Sequence, residues 1–259
     1  MKKVEDRILA LEEDVLRLKT ALHFKGEKIY SPSHEMYKYF KEYLDSIGIK
    51  SDQLEYDDPS RCKIFFSSIP PKINPAPHIW LINVEQATRP NILALNNMRD
   101  CHNVYDYSEE NIEVLRKIKP KCNFVHIPYG SVSVREEIYN YEKLHGIAMV
   151  GNNCTRRTQI ENRIGNVTNI LGWGNERDDK LFRYKILVNV HFSPEYNITE
   201  QIRINRCIYN KMIVISENSI HQDKLKLKDK MLFASYDEIP ELANKVLDNY
   251  EYYYNKLLS

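Results

Sequence analysis

The 259-residue chain is poor in glycine, with 8, and contains no long apolar run. No stretch approaches the roughly 20 consecutive apolar residues that cross a bilayer, so no transmembrane segment is expected. The opening Met1-Lys-Lys-Val-Glu-Asp-Arg7 is charged and lacks an apolar h-region. It reads as the start of a cytoplasmic protein rather than a signal peptide. Cysteine is scattered as Cys62, Cys101, Cys122, Cys154 and Cys207, with no two at Cys-x-x-Cys spacing. An odd, dispersed set excludes a disulfide framework and a zinc site of ordinary spacing, and fits thiols of a reducing compartment. The Asn-x-Thr triplets at Asn153, Asn166 and Asn197 therefore read as chance. An excess of one charge is also missing, with Lys+Arg 37 against Asp+Glu 36. Nucleic-acid binders show a basic excess or stripe, so no nucleic-acid partner is expected. Neither Gly-x-Gly-x-x-Gly nor Gly-x4-Gly-Lys-Ser/Thr occurs, which counts against a dinucleotide fingerprint and a P-loop. The acidic pairs Asp57-Asp58 and Asp178-Asp179 read as solvated loop charges, so neither a metal nor a bound cofactor is expected.

What is present is a 42% apolar fraction spread along the chain, enough for a real core. Val4, Ile8, Leu11, Val15, Leu18 and Leu22 recur at alternating steps of four and three. That spacing predicts a heptad helix over residues 1–25. It has two readings: a homo-oligomerisation helix acting through residues 4–22, or an amphipathic helix lying on its own domain. Gly26 ends the pattern.

From there, helical and strand patterns alternate. Met36, Tyr39, Phe40, Tyr43, Leu44 and Ile47 share a helical face between Ser33 and Ile47. Strands are expected at 63–68, 79–84, 103–107 and 123–127, with helices at 91–98 and 109–118, the latter capped by Ser108. A polar connection follows over residues 131–145. The rhythm then restarts, with strands at 146–150, 167–171, 185–190, 212–216 and 231–234. Helices are expected at 156–164, 177–182 and 199–209, and a long C-terminal helix is capped by Asp237. Strands and helices alternating at this pitch imply parallel sheets. The expected organisation is α/β, with two Rossmann-like domains at 26–135 and 146–235. A helix over 237–259 is expected to pack across them.

Open parallel sheets bind ligands outside the carboxyl ends of their strands. After the strand at 146–150 comes Gly151-Asn152-Asn-Cys-Thr-Arg156-Arg157. A glycine there lets backbone approach a phosphate, and the following helix N-terminus offers free N–H groups. Arg156 and Arg157 are placed to add bidentate contacts to a diphosphate. The other reading is an ordinary strand–helix turn. A second strand ends at Asn189-Val-His191, and a loop leads to Thr199-Glu200-Gln-Ile-Arg203. A third ends at Ser216-Glu217-Asn218. Glu200 can accept both hydroxyls of a ribose, or can favour its helix N-terminus electrostatically.

The stretch from Ile186 to Glu217 resembles the donor half of GT-B glycosyltransferases. The likeness is to small ones of viral and bacterial polysaccharide clusters, whose donor half is that of glycosyltransferase group 1. The Gly151-Asn152 turn with Arg156-Arg157 resembles the opening of that half. Asn83-Val-Glu85-Gln86, Val104-Tyr-Asp106-Tyr-Ser108 with Asn111, and His126-Ile-Pro-Tyr-Gly130 resemble the acceptor half. The resemblance covers residues 60–235. It implies a metal-independent transfer of sugar from a nucleoside-diphosphate sugar to a glycan or another hydroxyl acceptor. Gly151, Asn152, Arg156 and Arg157 would face the diphosphate and Glu200 the ribose, with Ser216 and Glu217 lining the same site. Larger members carry two Glu seven residues apart. Glu195 and Glu200 here have four residues between them, so that pair is absent. His191 is then the candidate for the donor sugar or the leaving phosphate, against a plain hydrogen-bonded loop histidine. An inverting transfer needs a carboxylate to deprotonate the acceptor. Glu85 is the candidate base and Asp106 the reserve, which can equally be structural. The rival readings are a catalytically degenerate GT-B-like glycan-binding or assembly protein, and another nucleotide-dependent α/β enzyme such as an epimerase or methyltransferase.

Overall fold

The computed structural model describes residues 20–23, 62–66, 79–83, 86–87, 103–127, 139–172, 175–220 and 222–259. The chain divides into two compact units, Met1–Val132 and Ser133–Ser259.

In the first unit, short apolar runs make five parallel strands: β1 (Thr20–His23), β2 (Cys62–Phe66), β3 (Ile79–Asn83), β4 (Asn103–Asp106) and β5 (Asn123–His126). They lie side by side in chain order. Helix α1 (Glu109–Ile118) follows β4. Its start is as the sequence indicates: Ser108 Oγ accepts from Asn111 N at 3.2 Å, Glu109 and Glu110 sit in the first turn, and Arg116 and Lys117 in the last. Each matches the sign of the nearer helix end.

One expectation is corrected here. The heptad stripe runs to Leu22, but Thr20–His23 is a strand paired in parallel with β2, with Leu22 opposite Ile64. Spacing alone counts Leu22 into a helix. It cannot register a backbone partner some forty residues away that satisfies the same N–H and C=O groups. The helix, and an oligomer contact through it, therefore cannot include residues 20–22. Residues 1–19 and the predicted helices at 33–47 and 91–98 lie outside the described residues.

The second unit contains β6 (His145–Val150), α2 (Thr155–Ile164), β7 (Val167–Ile170), α3 (Asn175–Leu181), β8 (Tyr184–Asn189), α4 (Gln201–Tyr209), β9 (Ile213–Glu217) and β10 (Leu232–Ala234). It closes with α5 (Ile239–Asp248) and α6 (Tyr250–Leu258). The sheet is wholly parallel, in the order β10-β9-β8-β6-β7. Consecutive residues Ile186, Leu187, Val188 and Asn189, and likewise Ile213 to Ser216, are all buried. A strand buried at successive positions has both faces covered, as parallel sheets require.

The C-terminal segment departs from the expected single helix. It breaks at Asn249 into α5 and α6, and the cap position of α5 is Glu238 rather than Asp237. Pro240 in the first turn of α5 suits that start, because its missing N–H is one the helix leaves unpaired anyway. Ile239, Ala243 and Val246 of α5 and Leu257 and Leu258 of α6 belong to the same core as Ile186 and Ile213. The buried face of this segment is thus part of the second unit's own core.

The pair Asp178-Asp179 is also corrected in half. Asp179 is exposed and accepts from Tyr141 Oη. Asp178 is 1% exposed and lies between two buried guanidinium groups, 2.6 Å from Arg177 Nη2 and 2.6 Å from Arg206 Nη2. Arg206 is 28 residues further along, on α4, so the clamp joins α3 to α4. Removing one member of such a cluster strands buried charge. Asp178→Ala is expected to lower unfolding stability by about 3–5 kcal/mol, read as the midpoint of a urea titration. Asp179→Ala should leave that midpoint unchanged.

Candidate functional site

Strand order decides where the second unit can bind a ligand. From β6 the chain crosses to β7 on one side, then back over β6 to β8 on the other. The loops leaving β6 and β8 therefore diverge and open a crevice at the carboxyl ends of these two strands. The described strands of the first unit run in chain order without such a reversal.

Val150 leads into Gly151, which has φ +116°, a region that L side chains rarely adopt. A Cβ at Gly151 would lie 2.6 Å from Arg157 Nη1. The close approach has a purpose. Arg157 is 3% exposed, and it donates from Nη1 to Asn152 O at 2.7 Å and from Nε to Val190 O at 3.1 Å. It ties the loop after β6 to the end of β8 from beneath. The structure therefore gives Arg157 a bracing position, while Asn152 is exposed and Arg156 half-buried. Burial lowers the Arg157 pKa, and the nearby Glu200 charge opposes that shift.

Arg156 pairs through Nη2 with Glu217 Oε1, and its guanidinium lies 4.1 Å from the centre of the Tyr236 ring. The Tyr236 hydroxyl donates to Arg156 O at 2.8 Å. The other Glu217 oxygen, Oε2, accepts from His191 N at 3.0 Å. Glu217 thus links the ends of β8 and β9 to the start of α2.

His191 is 3% exposed. Its Nε2 is 3.3 Å from Asn218 O and 3.1 Å from Ser219 Oγ. A carbonyl only accepts, so this contact puts the ring proton on Nε2. Burial depresses the His191 pKa, with Glu217 and Glu200 pulling the other way. The ring is then neutral at pH 7, and Nδ1, which has no partner among the described residues, presents a lone pair.

Glu200 stands at the start of α4 without capping it, and pairs instead with Arg203. Arg203 reaches Asn189 Oδ1 at 3.4 Å, and Asn189 Nδ2 donates to Ser216 Oγ at 3.1 Å. Ser216 is fully buried and Asn189 2% exposed, so both act as a shelf under the charged groups. The sequence names the stretch Thr199–Arg203 but assigns no role to Thr199, Arg203 or Asn189. Their signal is structural: Thr199 Oγ1, Arg203 Nε and Arg156 Nε are buried without a protein partner. Buried polar atoms are rarely left so.

Gly151, Arg156, His191, Glu200, Ser216 and Glu217 are therefore brought to one edge of one sheet. Cys154 makes no side-chain cap for α2, and neither α2 nor α4 carries an acid in its first turn. Two helix N-termini and three arginines against two carboxylates favour an anion, while Glu200, Glu217 and His191 Nδ1 accept hydroxyls. Among the described residues no group of three or more His, Cys, Asp or Glu is placed to hold a metal.

Comparisons with known proteins bear on this arrangement. The chain is 31% identical over 242 residues to the uncharacterized protein L140 of Acanthamoeba polyphaga mimivirus, covering 83% of the chain and 78% of that protein. It is 30% identical over 213 residues to the uncharacterized protein R358 of the same virus, covering 75% of the chain and 74% of that protein. No protein-family model matches. Among solved structures, an α1,3-fucosyltransferase superposes with a TM-score of 0.50 at 13% identity, over 93% of this chain and 81% of that one. TarM superposes with a TM-score of 0.51 at 10% identity, over 83% of this chain and 52% of that one, so the chain spans about half of TarM. At these identities the likeness is one of fold: α/β with parallel sheets.

The first unit carries the remaining candidates. Glu85 lies outside the described residues. Asp106 ends β4, is fully buried, and is held from three sides: Asn83 Nδ2 at 2.6 Å, Ser108 N at 2.8 Å and Asn111 Nδ2 at 3.2 Å. Asn111 Oδ1 in turn accepts from Ala87 N at 2.7 Å. This closed knot joins β3, β4 and α1, which favours the structural role for Asp106. Burial outweighs the three donors and pushes its pKa from 3.8 up to about 7. A raised folded-state pKa stabilises the fold fully below the unfolded value, and the gain is lost as pH rises through about 7. Asp106→Asn, with the Asn83 amide turned to present its oxygen, should flatten the stability profile between pH 4 and 7. Above pH 7 it should exceed the parent by a few kcal/mol, on the order set by this shift, as read by urea denaturation across pH.

Proposed function

Because this chain belongs to the same family as the mimivirus proteins L140 and R358, and shares its fold with the α1,3-fucosyltransferase and TarM, we propose that it is a glycosyltransferase. It would move sugar from a nucleoside-diphosphate sugar to a hydroxyl acceptor on a glycan. The observation that carries this reading is the gathering of Gly151, Arg156, His191 and Glu200 at the sheet's switch point. On this reading the diphosphate lies over Gly151 and the N-terminus of α2, gripped by Arg156. Glu200, at the start of α4, accepts the ribose hydroxyls.

The neutral His191 ring refines its own role. A lone pair at Nδ1 repels a phosphate oxygen but accepts from a hydroxyl, which supports contact with the donor sugar over contact with the leaving phosphate. The leaving diphosphate is then neutralised by Arg156 and the helix terminus, donors fixed before the reaction begins. No metal enters this scheme. Glu85, immediately beyond the Ile79–Val84 run, remains the proposed base for an inverting transfer.

The test is a thermal-shift screen with UDP, GDP, dTDP and CDP. A bound nucleotide at a hundred times its Kd adds about 2.7 kcal/mol, a Tm rise of roughly 5–10 °C for a chain of this size. Arg156→Ala and Glu200→Ala should each remove most of that rise. With the donor so identified, Glu85→Gln should retain binding and slow transfer or donor hydrolysis about 100-fold or more. Binding of glycans with no nucleotide effect at millimolar concentration would instead favour the degenerate glycan-binding reading.

A further inference from the structure

Glu217 occupies the kind of seat that an oxyanion takes. One carboxylate oxygen is paired with Arg156 and the other accepts from His191 N–H at 3.0 Å. A guanidinium and a main-chain N–H converging on one carboxylate are the same donors that grip phosphate oxygens. The seat adjoins the positive-φ turn at Gly151 and the start of α2, which no side chain caps. His191 itself is 3% exposed with Nδ1 lacking a protein partner, an independent sign that the protein alone does not complete this site.

We propose that Glu217 is a built-in competitor for the phosphate seat, displaced from Arg156 and from His191 N–H when a diphosphate binds. The inference rests on the reading of this edge as a donor site. A phosphate at the Arg156 guanidinium meets the Glu217 carboxylate already paired there, and two anions in one partly buried seat repel. The Glu217 side chain is 12% exposed and that of Arg156 21%, so a path outward exists for the carboxylate. Glu217 then has a kinetic use. Its return to Arg156 after transfer expels the nucleoside diphosphate, and the price of that release is weaker donor affinity. The alternative assignment, in which Glu217 accepts a ligand hydroxyl, predicts the opposite sign on neutralisation.

Calorimetric titration of the full chain with inorganic pyrophosphate, and with UDP, GDP, dTDP and CDP, separates the two. Glu217→Gln keeps the shape and, through its amide oxygen, the bond from His191 N–H, and loses the charge and the acceptor facing Arg156. It should bind pyrophosphate about tenfold tighter than the parent, as expected when a charged competitor is removed. Glu217→Asp, too short to span both partners, should shift affinity in the same direction and covers the case in which the glutamine variant folds poorly. Glu200→Gln should weaken the nucleotide that binds yet leave pyrophosphate, which has no ribose, within twofold. Unchanged or weaker pyrophosphate binding in both Glu217 variants overturns the competitor role and leaves the donor site standing. If neither pyrophosphate nor any of the four nucleotides binds the parent or the variants, both readings fall.

Discussion

A parallel sheet covered on both faces leaves chemistry one place to go, the ends of its strands, and the order β10-β9-β8-β6-β7 makes one stretch of that edge open. Everything at the site depends on the pairing that fixes this edge. Asn189 lies opposite Ser216, and Ala234 opposite Glu217. Polar residues therefore begin at the same level on adjacent strands: Asn189 and Ser216 first, then Glu217 one residue beyond on its strand and His191 two beyond on the other. A register slip of one residue would exchange the faces of a strand, carrying Glu217 to the face that now holds Val214 and Ser216. The long buried runs Ile186–Val188 and Ile213–Ile215 are what make such a slip costly, so the core holds the site by holding the register.

The site is also balanced by its own charges. Arg156, Arg157 and Arg203 lie within electrostatic reach of Glu200 and Glu217, beside two helix N-termini that add partial positive charge. Three guanidinium groups so placed would repel one another without the carboxylates. Arg157 is satisfied by carbonyls and sits deepest. Arg156 and Arg203 are paired with Glu217 and Glu200, side chains that can turn away. The division between a fixed brace and two exchangeable pairs follows from what each guanidinium faces: carbonyls belong to the backbone and cannot move, whereas carboxylates can.

What the sequence reveals, and what it hides, divides along the same line between local and distant partners. Helix α1 with its Ser108 cap, the strands of the second unit and the Gly151 turn are all legible, because their causes lie within a few residues. Asp178 is not, since the guanidinium that buries it comes from Arg206, on another helix. Nothing in Asp178-Asp179 distinguishes the buried acid from the exposed one. Leu22 is misassigned for the same reason, its strand partner lying near residue 64. The break at Asn249 has no Gly or Pro to announce it. It is set where Leu257 and Leu258 turn into the core and Lys185 meets the Tyr250 ring at 4.8 Å. Among the site residues, Arg156, Arg157, Glu200 and Glu217 were visible by type. Thr199, Arg203 and Asn189 emerged only from what surrounds their polar atoms.

The two units then differ in how their polar groups are closed. The Asp106 carboxyl is answered from within, by Asn83, Ser108 and Asn111, and is fully buried. Such a knot costs too much desolvation to open for a ligand, and its work is to hold β3, β4 and α1 together. At the edge of the second sheet, Arg156 Nε, His191 Nδ1, Thr199 Oγ1 and Arg203 Nε are buried without protein partners. Each unsatisfied group costs on the order of 1–3 kcal/mol, and four in one place would be a poor way to stabilise a fold. A molecule bearing both hydroxyls and negative charge, such as the proposed sugar nucleotide, would supply the missing partners. That complementarity, more than any one residue, is what supports the proposal.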